Sequence, residues 1–368
     1  AEVVAAVAMR RSVVPLPRAA SALPILDISP YMSAGGCDAS RRRTAQALDA
    51  ACRDPGFFYL VGHGAPAEDI DRLHVLAKQF FAMPQARKEE LALSRSPGSA
   101  RGYQRLGENV TQGRRDWHEA IDLYAELDGR SVDLEALARP PGGLQEAALP
   151  QLRTFALGRN QWPDEPQAFR GAYEAHFSRM AGVGRALMRA MADAMGLPTA
   201  YFEPLTDRSF WCSRVIGYPP LQEAAGDDDA AGPPVGISCG EHTDYGCWTL
   251  LTTDDTPGAL EVRLRDGSWI VADPMQGAFV VNLGDMLAAW TRHQYTATPH
   301  RVLQAHRGRY RTSVAYFFEP NFDAVIRPLH TAPGDELPSQ PPPSTEPLSR
   351  AASGGSLIYG EHLFAKVS

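Results

Sequence analysis

The stretch Gly240-Glu-His-Thr-Asp-Tyr-Gly246 carries two metal-binding side chains, His242 and Asp244, two residues apart. Successive side chains of a β-strand point to opposite faces, so residues i and i+2 share a face. If this stretch is a strand, the imidazole and the carboxylate both point into a β-barrel. They supply two of the three ligands of a 2-His-1-carboxylate triad, which holds Fe(II) and leaves coordination positions open.

The third ligand of such a triad would be a histidine from a neighbouring strand. The segment Thr298-Pro-His-Arg-Val302 offers His300, with 55 residues between Asp244 and His300. A His-x-Asp pair alone is more often a turn or a surface pair than a metal site. Because a second histidine follows at a suitable separation, we predict that His242, Asp244 and His300 are metal ligands.

Short apolar stretches separated by turns surround these residues and predict a double-sheet β architecture. The predicted strands after residue 201 are 213–218, 249–252, 260–263, 269–271, 279–282, 301–303 and 312–316. The composition agrees, because 32 glycines and 30 prolines in 368 residues argue against a helical bundle and supply many turns.

A second polar pair, Arg311 and Ser313, lies beyond the predicted metal ligands, and its members again stand two residues apart. A guanidinium grips a carboxylate in fork geometry, and a hydroxyl adds one more donor. This spacing therefore predicts a site for the far carboxylate of a 2-oxo acid whose other end chelates the metal.

A turn at residues 306–309 would place this pair close to the third metal ligand. It would make 299–305 and 310–318 an antiparallel hairpin. Arg311 and Ser313 would then share a face with His300, further from the metal.

The first half of the chain predicts helices that support the β region. Helical spacing of apolar residues marks 40–53, with Ser40 as the N-cap, a second helix closed by Pro84, and a longest helix over 165–195. A buried strand bounded by glycines is predicted within 56–64, and loops with a hairpin within 94–163.

Together these motifs resemble the isopenicillin-N-synthase-like family of Fe(II)/2-oxoglutarate dioxygenases. The family's HxD, distal His and RxS motifs match His242 and Asp244, His300, and Arg311 and Ser313. The stretches LPILDIS (23–29), GFFYLVGHG (56–64) and VVNLGDML (280–287) also match, so that the resemblance covers most of residues 23–325.

The resemblance implies a mainly β fold with helices: a double-stranded β-helix (jelly roll) braced by N-terminal helices and one long helix. It implies one compact catalytic unit with a flexible leader (1–22), a helical and β support region (23–200), the jelly-roll core (201–325) and a C-terminal tail (326–368). The implied activity hydroxylates or desaturates a small molecule with Fe(II) and O2, while 2-oxoglutarate is decarboxylated to succinate and CO2.

The resemblance also implies a role for individual residues. His242, Asp244 and His300 would hold Fe(II), and Arg311 and Ser313 would bind the C5 carboxylate of 2-oxoglutarate. Tyr218 would be a further donor, and Arg214 would contact 2-oxoglutarate or an anionic substrate. Contacts with the substrate are expected from Tyr103, Asn109, Thr111, Tyr245 and Phe318.

The segment 101–124, together with FFEPNFDAVIRPL (317–329) and YGEHL (359–363), resembles the bacterial and fungal branch that includes the ethylene-forming enzyme. Where that enzyme has Gly-Glu-Glu-Val-Thr, with an acidic side chain towards its arginine substrate, this chain has Gly107-Glu-Asn-Val-Thr111. We therefore expect hydroxylation or desaturation rather than ethylene formation.

Charge and cysteine content limit the classes of partner and the cellular compartment that this chain fits. A net charge of −7, from 43 acidic and 36 basic residues, argues against a broad surface for nucleic acid or anionic lipid. No apolar run approaches the roughly 18 residues of a membrane span, and five scattered cysteines fit a reducing compartment. We expect a monomeric cytoplasmic enzyme, with organellar import left open by the arginines of the leader.

Two other functions remain compatible with these residues. One is an oxidase of the same fold that uses iron and O2 without 2-oxoglutarate, where Arg311 and Ser313 would bind a substrate carboxylate. The other is a non-catalytic binding protein that keeps the jelly roll. Among the other histidines, His63 and His176 are predicted to be structural, and His118 is not needed as a ligand.

Overall fold

A computed structural model describes residues 23–33, 36–129, 132, 149–220, 236–304, 308–329 and 357–367. The predicted leader and most of the predicted C-terminal tail lie outside these ranges. Among the described residues, no helix is both long enough and apolar enough to cross a membrane.

The described elements begin as a mixture of helices and strands and continue, from residue 212, mainly as strands. The helices are α1 (Ser29–Met32), α2 (Asp38–Arg53), α3 (Ala67–Phe81), α4 (Gln85–Glu89), α5 (Leu149–Leu157), α6 (Phe169–Ala194), α7 (Glu203–Thr206), α8 (Asp285–Trp290) and α9 (Tyr359–Val367). The strands are β1 (Ile25–Asp27), β2 (Phe57–Val61), β3 (Gly102–Gln104), β4 (Val110–Thr111), β5 (Arg114–Arg115), β6 (Glu119–Tyr124), β7 (Cys212–Tyr218), β8 (Ile237–His242), β9 (Trp248–Thr253), β10 (Leu260–Arg263), β11 (Trp269–Val271), β12 (Phe279–Leu283), β13 (His300–Leu303), β14 (Arg311–Phe318), β15 (Val325–Ile326) and β16 (Leu357–Ile358).

Among the described residues, two main sheets and the two-stranded sheets β4–β5 and β15–β16 form the β region, and the main sheets do not close into a barrel. The large sheet has eight strands in the order β1-β2-β12-β9-β14-β7-β6-β3, and the small sheet has four in the order β11-β10-β13-β8. An apolar core lies between them, with Tyr59 and Val280 from the large sheet and Leu260 and Val262 from the small one. The predicted double-sheet architecture is confirmed.

Helices cover the other face of the large sheet. The apolar stripe of α6 is fully buried there, and the Tyr173 hydroxyl of α6 donates to the Leu73 carbonyl of α3 at 3.0 Å. The α6 helix gives way to Gly196, whose φ of 71° suits a residue without a side chain. The molecule therefore has three layers: helices, the large sheet and the small sheet.

Three local predictions are wrong. Ser40 is not an N-cap, because α2 begins at Asp38 and the Ser40 hydroxyl instead donates to the Cys37 carbonyl at 2.7 Å. The predicted hairpin at 299–318 does not form, because β13 pairs with β8 and β10 in the small sheet whereas β14 pairs with β7 and β9 in the large sheet. The region 94–163 contains the predicted hairpin (β4–β5) but also β6, a fully buried strand of the large sheet.

The last described residues are ordered structure rather than a tail. Strand β16 pairs antiparallel with β15, and the Gly360 amide of α9 donates to the Phe322 carbonyl at 2.8 Å. Tyr359 and Leu363 of α9 belong to the main apolar core. The chain thus returns to the β region after residue 356.

Candidate active site

Three predicted metal ligands meet at one end of the small sheet. His300 and His242 are directly opposed partners of β13 and β8, and their ring centroids lie 4.3 Å apart. Oδ1 of Asp244 is 3.7 Å from Nε2 of each histidine. All three candidate ligand atoms lie within 4.8 Å of one another, a spacing at which they could bind one metal ion.

A turn, rather than a strand, carries the carboxylate. Strand β8 ends at His242, so Asp244 lies just beyond it, and the prediction of one strand for both residues is wrong. The turn is fixed by the first amides of α8, because the Asp285 amide donates to the Asp244 carbonyl at 2.7 Å and the Met286 amide donates to the Tyr245 carbonyl at 3.0 Å. The free N–H groups of a helix start thus hold the backbone that presents Asp244.

Hydrogen bonds select which atoms of the triad face its centre. Nδ1 of His242 lies 2.8 Å from the Gly240 carbonyl, and Nδ1 of His300 lies 3.1 Å from the Thr298 carbonyl. A carbonyl accepts only from a protonated nitrogen, so in the neutral form of each imidazole Nε2 keeps a lone pair for a metal. Oδ2 of Asp244 accepts from the Thr249 hydroxyl and from Asn282 Nδ2 at 2.7 Å, whereas Oδ1 faces the two histidines.

The electrostatics of the triad suit metal binding. Burial alone would raise the pKa of the Asp244 carboxyl, but His300, His242 and the two hydrogen bonds hold it below its ordinary value. Burial lowers the pKa of His300, and the neighbouring His242 lowers it further. Burial would lower the pKa of His242, but Cys239 and Asp244 raise it to about 10, so this imidazole must release a proton when a metal binds, whereas Asp244 is already ionised.

Arg311 is a buried cation with unused donors. It is 5% exposed, and its Nε and Nη1 have no hydrogen-bond partner in the described part of the chain. The Tyr218 ring lies 4.6 Å from the guanidinium carbon, and the Ser313 hydroxyl lies 3.4 Å from the Tyr218 hydroxyl. A buried charge is costly unless it is paired, so these orphaned donors fit the far carboxylate of 2-oxoglutarate.

Arg214 lies further along the same face of the large sheet. Its Nε and Nη2 donate to the two carboxylate oxygens of Asp122, each at 2.7 Å. Nη2 also contacts Gln104 at 3.0 Å and Asn109 at 3.3 Å. Arg214 is therefore already held in a bidentate ion pair, unlike Arg311.

Three of the predicted substrate contacts lie next to Arg214, to strand β8 or to Asp244. Asn109 bridges Arg214 and His118, with its Nδ2 3.1 Å from His118 Nε2. Thr111 packs against Gly240, two residues before His242 on β8, and its hydroxyl donates to Asp116 at 2.7 Å. Tyr245 follows Asp244 directly and is 40% exposed.

Tyr103 and Phe318, the other two, face away from the site. Tyr103 packs against Phe80 of α3 with ring centroids 6.1 Å apart, and its hydroxyl donates to Glu119 at 2.6 Å. Phe318 is fully buried against Gly184 of α6. Both side chains therefore lie in the helical layer, and Phe317 has the opposite orientation in β14.

Sequence reasoning missed four residues that support the site: Thr249, Asn282, Asp122 and His118. Asn282 lies in the VVNLGDML stretch (280–287). Only its place in the alternating pattern of β12, where side chains face the two sides of the sheet in turn, could have indicated that it faces the site. Asp116, His118 and Cys239 form a second group with possible metal-ligating atoms within 4.8 Å. Both ring nitrogens of His118 are already hydrogen-bonded, to Ser238 and Asn109, so this group is a polar network.

Two family models match the chain. Residues 23–165 match the N-terminal region of non-haem dioxygenases in morphine synthesis, and residues 212–320 match the 2OG-Fe(II) oxygenase superfamily. The second range contains the triad together with Arg311 and Ser313.

Curated relatives match over nearly the whole chain. A homoarginine-6-hydroxylase of Oryza sativa subsp. japonica is 37% identical over 353 residues, which covers 94% of this chain and 96% of the relative. A homoarginine-6-hydroxylase of Arabidopsis thaliana is also 37% identical, with the same coverage. A 2-oxoglutarate-Fe(II) type oxidoreductase of Emericella nidulans is 29% identical, covering 91% of this chain and 90% of the relative.

Solved structures agree with the jelly-roll fold. A 2OG-Fe(II) oxygenase family protein of Caulobacter crescentus has a TM-score of 0.69 at 27% identity, covering 94% of this chain and 98% of that one. A Neurospora crassa protein in complex with alpha-KG and thymine has a TM-score of 0.71 at 24% identity, covering 94% and 96%, and supports the fold alone. The chain therefore belongs to the 2OG-Fe(II) oxygenase superfamily, as an oxidoreductase that uses Fe(II), 2-oxoglutarate and O2 on a small-molecule substrate.

Proposed function

We propose that this oxygenase hydroxylates a free guanidino amino acid of the homoarginine type. His242, Asp244 and His300 would hold the iron, and Arg311, Ser313 and Tyr218 would hold the far end of 2-oxoglutarate. The site assignment rests on two features that occur together. The ligand atoms of the triad lie close enough to bind one metal ion, and the buried Arg311 has donors without a hydrogen-bond partner among the described residues. Iron, 2-oxoglutarate and O2 supply the oxidising chemistry, and 2-oxoglutarate ends as succinate and CO2.

The protein's own part is orientation. Backbone carbonyls turn Nε2 of both histidines to the metal, and Asn282 with Thr249 turns Oδ1 of Asp244 to it. Arg311 and Ser313, on the large sheet, would fix the co-substrate at a set distance from the triad. Because the Arg311 guanidinium is buried, water does not compete with the carboxylate of 2-oxoglutarate for its N–H groups.

The substrate class is supported by the relatives' names and by the polar groups on this face of the sheet. Four homoarginine-6-hydroxylases are 35–37% identical over 94% of the chain. Nη1 of Arg214 makes no hydrogen bond among the described residues and, with the side chain 27% exposed, is free to bind a carboxylate of the substrate or co-substrate. Asn109 and Thr111 offer oxygen atoms to a cationic group.

We further propose that the enzyme is monomeric and cytoplasmic and that residues 23–325 act as one catalytic unit. The support region gives β1, β2, β3 and β6 to the same sheet as the core strands. All five cysteines are free, which fits a reducing compartment. The net charge of −7 argues against nucleic acid as a partner.

One experiment tests the co-substrate and the substrate together. Anaerobic titration of the Fe(II) protein with 2-oxoglutarate should give the weak visible charge-transfer band of a chelated keto acid. Under air, homoarginine should then give succinate and a hydroxylated product in equal amounts, whereas homocitrulline, its neutral isostere, should not.

The outcomes separate the two parts of the proposal. A band without turnover of homoarginine would show that the substrate class is wrong. Absence of the band, with no succinate formed, would contradict the assignment of Arg311 and Ser313. The His300→Ala variant should lose both the band and turnover.

A further inference from the structure

Glu319 is a buried acid that the proposed reaction does not use. It directly follows β14, is 3% exposed, and its Oε2 has no hydrogen bond in the described part of the chain. Burial raises the pKa of its carboxyl group to about 8. A buried polar group without a full set of partners is unfavourable for stability, so its presence calls for another explanation.

The carboxyl group lies directly against the turn that carries Asp244. A Cβ atom built on Gly246, two residues after Asp244, would lie within 2.1 Å of three Glu319 carboxyl atoms. The φ of Gly246 is outside the left-handed region, so its backbone suits any residue. Glycine is needed at 246 because Glu319 fills the space where a side chain would go.

The start of α8 also holds the turn. The amides of Asp285 and Met286 bind the carbonyls of Asp244 and Tyr245, and the Gly284 amide binds the Cys247 carbonyl at 3.1 Å. The turn thus contacts both the start of α8 and the Glu319 carboxyl group.

The C-terminal helix lies next to both Glu319 and the turn. The Tyr359 phenol, at the start of α9, lies beside the Glu319 carboxyl. At the other end of α9, Nζ of Lys366 lies 5.4 Å from the centre of the Tyr245 ring. The two ends of α9 therefore contact the carboxyl group and the residue that follows Asp244.

We propose that Glu319 is a positioning residue: its carboxyl group packs against the 244–247 turn and holds the turn against the start of α8. We call this contact the wedge. It fixes Oδ1 of Asp244 towards the two histidines and orients Tyr245, and α9 keeps the wedge in place. The inference rests on the proposed role of Asp244 as a metal ligand.

Substitutions that change the size of the side chains at 246 and 319 test this inference. Gly246→Ala should lower the affinity for Mn(II), measured by electron paramagnetic resonance, at least tenfold, because its methyl group collides with the carboxyl. Combining it with Glu319→Ala should restore most of that loss, since the methyl group then occupies the vacated space. Glu319→Gln keeps the size of the side chain and should bind Mn(II) like the parent.

A second measurement does not depend on the metal. In the metal-free protein, Glu319→Ala should raise hydrogen exchange at the amides of 244–247 and of α9 at least fivefold, while Glu319→Gln should not. Tyr359→Phe is the matched variant in α9 and should raise exchange less than Glu319→Ala, because the ring still packs.

Failure of the Glu319 proposal can be distinguished from failure of the proposed metal site. If Gly246→Ala binds Mn(II) like the parent, or if Glu319→Ala does not restore the double variant, the wedge is overturned. The same holds if Glu319→Gln is as defective as Glu319→Ala. If His300→Ala binds Mn(II) as tightly as the parent, the proposed metal site fails, and the exchange measurement still decides the wedge.

Discussion

At the scale of single residues, the metal site depends on side chains that bind the ligands rather than the metal. Spacing in the sequence identified His242, Asp244 and His300, because period-two alternation and the family motif both apply to them. It did not identify Asn282 or Thr249, which are ordinary polar residues within apolar strands. Their role follows only from the packing of β9 and β12 beside the turn.

Replacing Asn282 should weaken metal binding without removing a ligand. In Asn282→Ala, Oδ2 of Asp244 keeps only the Thr249 hydroxyl, so the carboxylate is free to rotate. We expect the affinity for Fe(II) or Mn(II) to fall about 10- to 100-fold, the usual effect of removing a group that orients a metal ligand. Titration followed by electron paramagnetic resonance measures this, and unchanged affinity in a folded variant would contradict the orienting role.

Arg311 allows a complementary prediction for the co-substrate. In Arg311→Lys the charge remains, but the fork formed by the unpaired Nε and Nη1 is lost. The KM for 2-oxoglutarate should rise at least tenfold while metal affinity stays the same. The matched control is Arg309→Lys, an exposed arginine nearby that pairs with Asp255, and it should leave KM unchanged. Equal effects in the two variants would show that the co-substrate binds elsewhere.

Strand alternation separates the predicted substrate contacts that face the site from those that face the helical layer. Side chains alternate along a strand, so Phe318 lies in the helical layer although its neighbour Phe317 does not. Tyr103 likewise faces α3, whereas Gln104 reaches Arg214. A family motif gives the approximate position of a contact, but only the strand register decides which of two neighbours makes it.

At the scale of elements, most strands could be predicted and their pairing could not. The predicted 260–263 and 269–271 match β10 and β11, because apolar residues and turns mark their limits. The supposed hairpin at 299–318 failed because a short connection favours adjacent strands, whereas here the chain passes from the small sheet to the large one. That crossing depends on long-range packing, which leaves no local signal.

Strand β6 was missed because its charges look like those of a surface loop. Glu119 and Asp122 are both buried, and their partners Lys88 and Arg214 come from distant parts of the chain. A buried charge is tolerated when it is paired, so a polar sequence can still form a central strand.

The ion pair of β6 with α4 gives a prediction about stability. Lys88 Nζ lies 2.6 Å from Glu119 Oε2, and both side chains are less than one tenth exposed. In Lys88→Met the buried carboxylate loses its counter-charge, and the free energy of unfolding should fall by about 3 kcal/mol. Unfolding in urea measures the change.

The neighbouring residue provides the control for this prediction. Arg87→Met removes an exposed pair with Glu90 and should change stability by less than about 1 kcal/mol. The double variant Lys88→Met with Glu119→Gln should recover much of the loss, because no charge is then left unpaired. The amide group also still forms hydrogen bonds with the two neighbouring phenols, the hydroxyls of Tyr103 and Tyr310. A loss in Arg87→Met as large as in Lys88→Met would show that burial of the pair does not matter.

At the scale of the whole molecule, the layered fold buries several histidines away from the site. His74 lies between the helical layer and the large sheet, within 3.2 Å of the hydroxyls of Thr312 and Thr252. His176 lies near Phe177 and Phe279, and its Nε2 has no hydrogen bond in the described part of the molecule. Burial lowers the pKa of His74 to about 4 and that of His176 to about 3.

These buried histidines predict the direction of the pH dependence of stability. In the unfolded chain each imidazole takes up a proton near its ordinary pKa of about 6.5. The folded protein does not take it up until far lower pH, so the unfolded state binds more protons between about 6.5 and 4. Stability must therefore fall as the pH drops through this window, by at most about 1.4 kcal/mol per pH unit for each histidine.

Removing one such histidine should make the pH dependence less steep. His176→Phe keeps a ring on the apolar face of α6 and abolishes one proton uptake, so the slope of unfolding free energy between pH 6.5 and 4.5 should decrease by up to about 1.4 kcal/mol per unit. The control is His293→Asn, because His293 is exposed and asparagine tolerates its φ of 59°. Urea unfolding at a series of pH values gives the slopes. Parallel curves for His176→Phe and the parent would mean that the folded protein already protonates His176 above pH 4.5, against the apolar surroundings that α6 gives it.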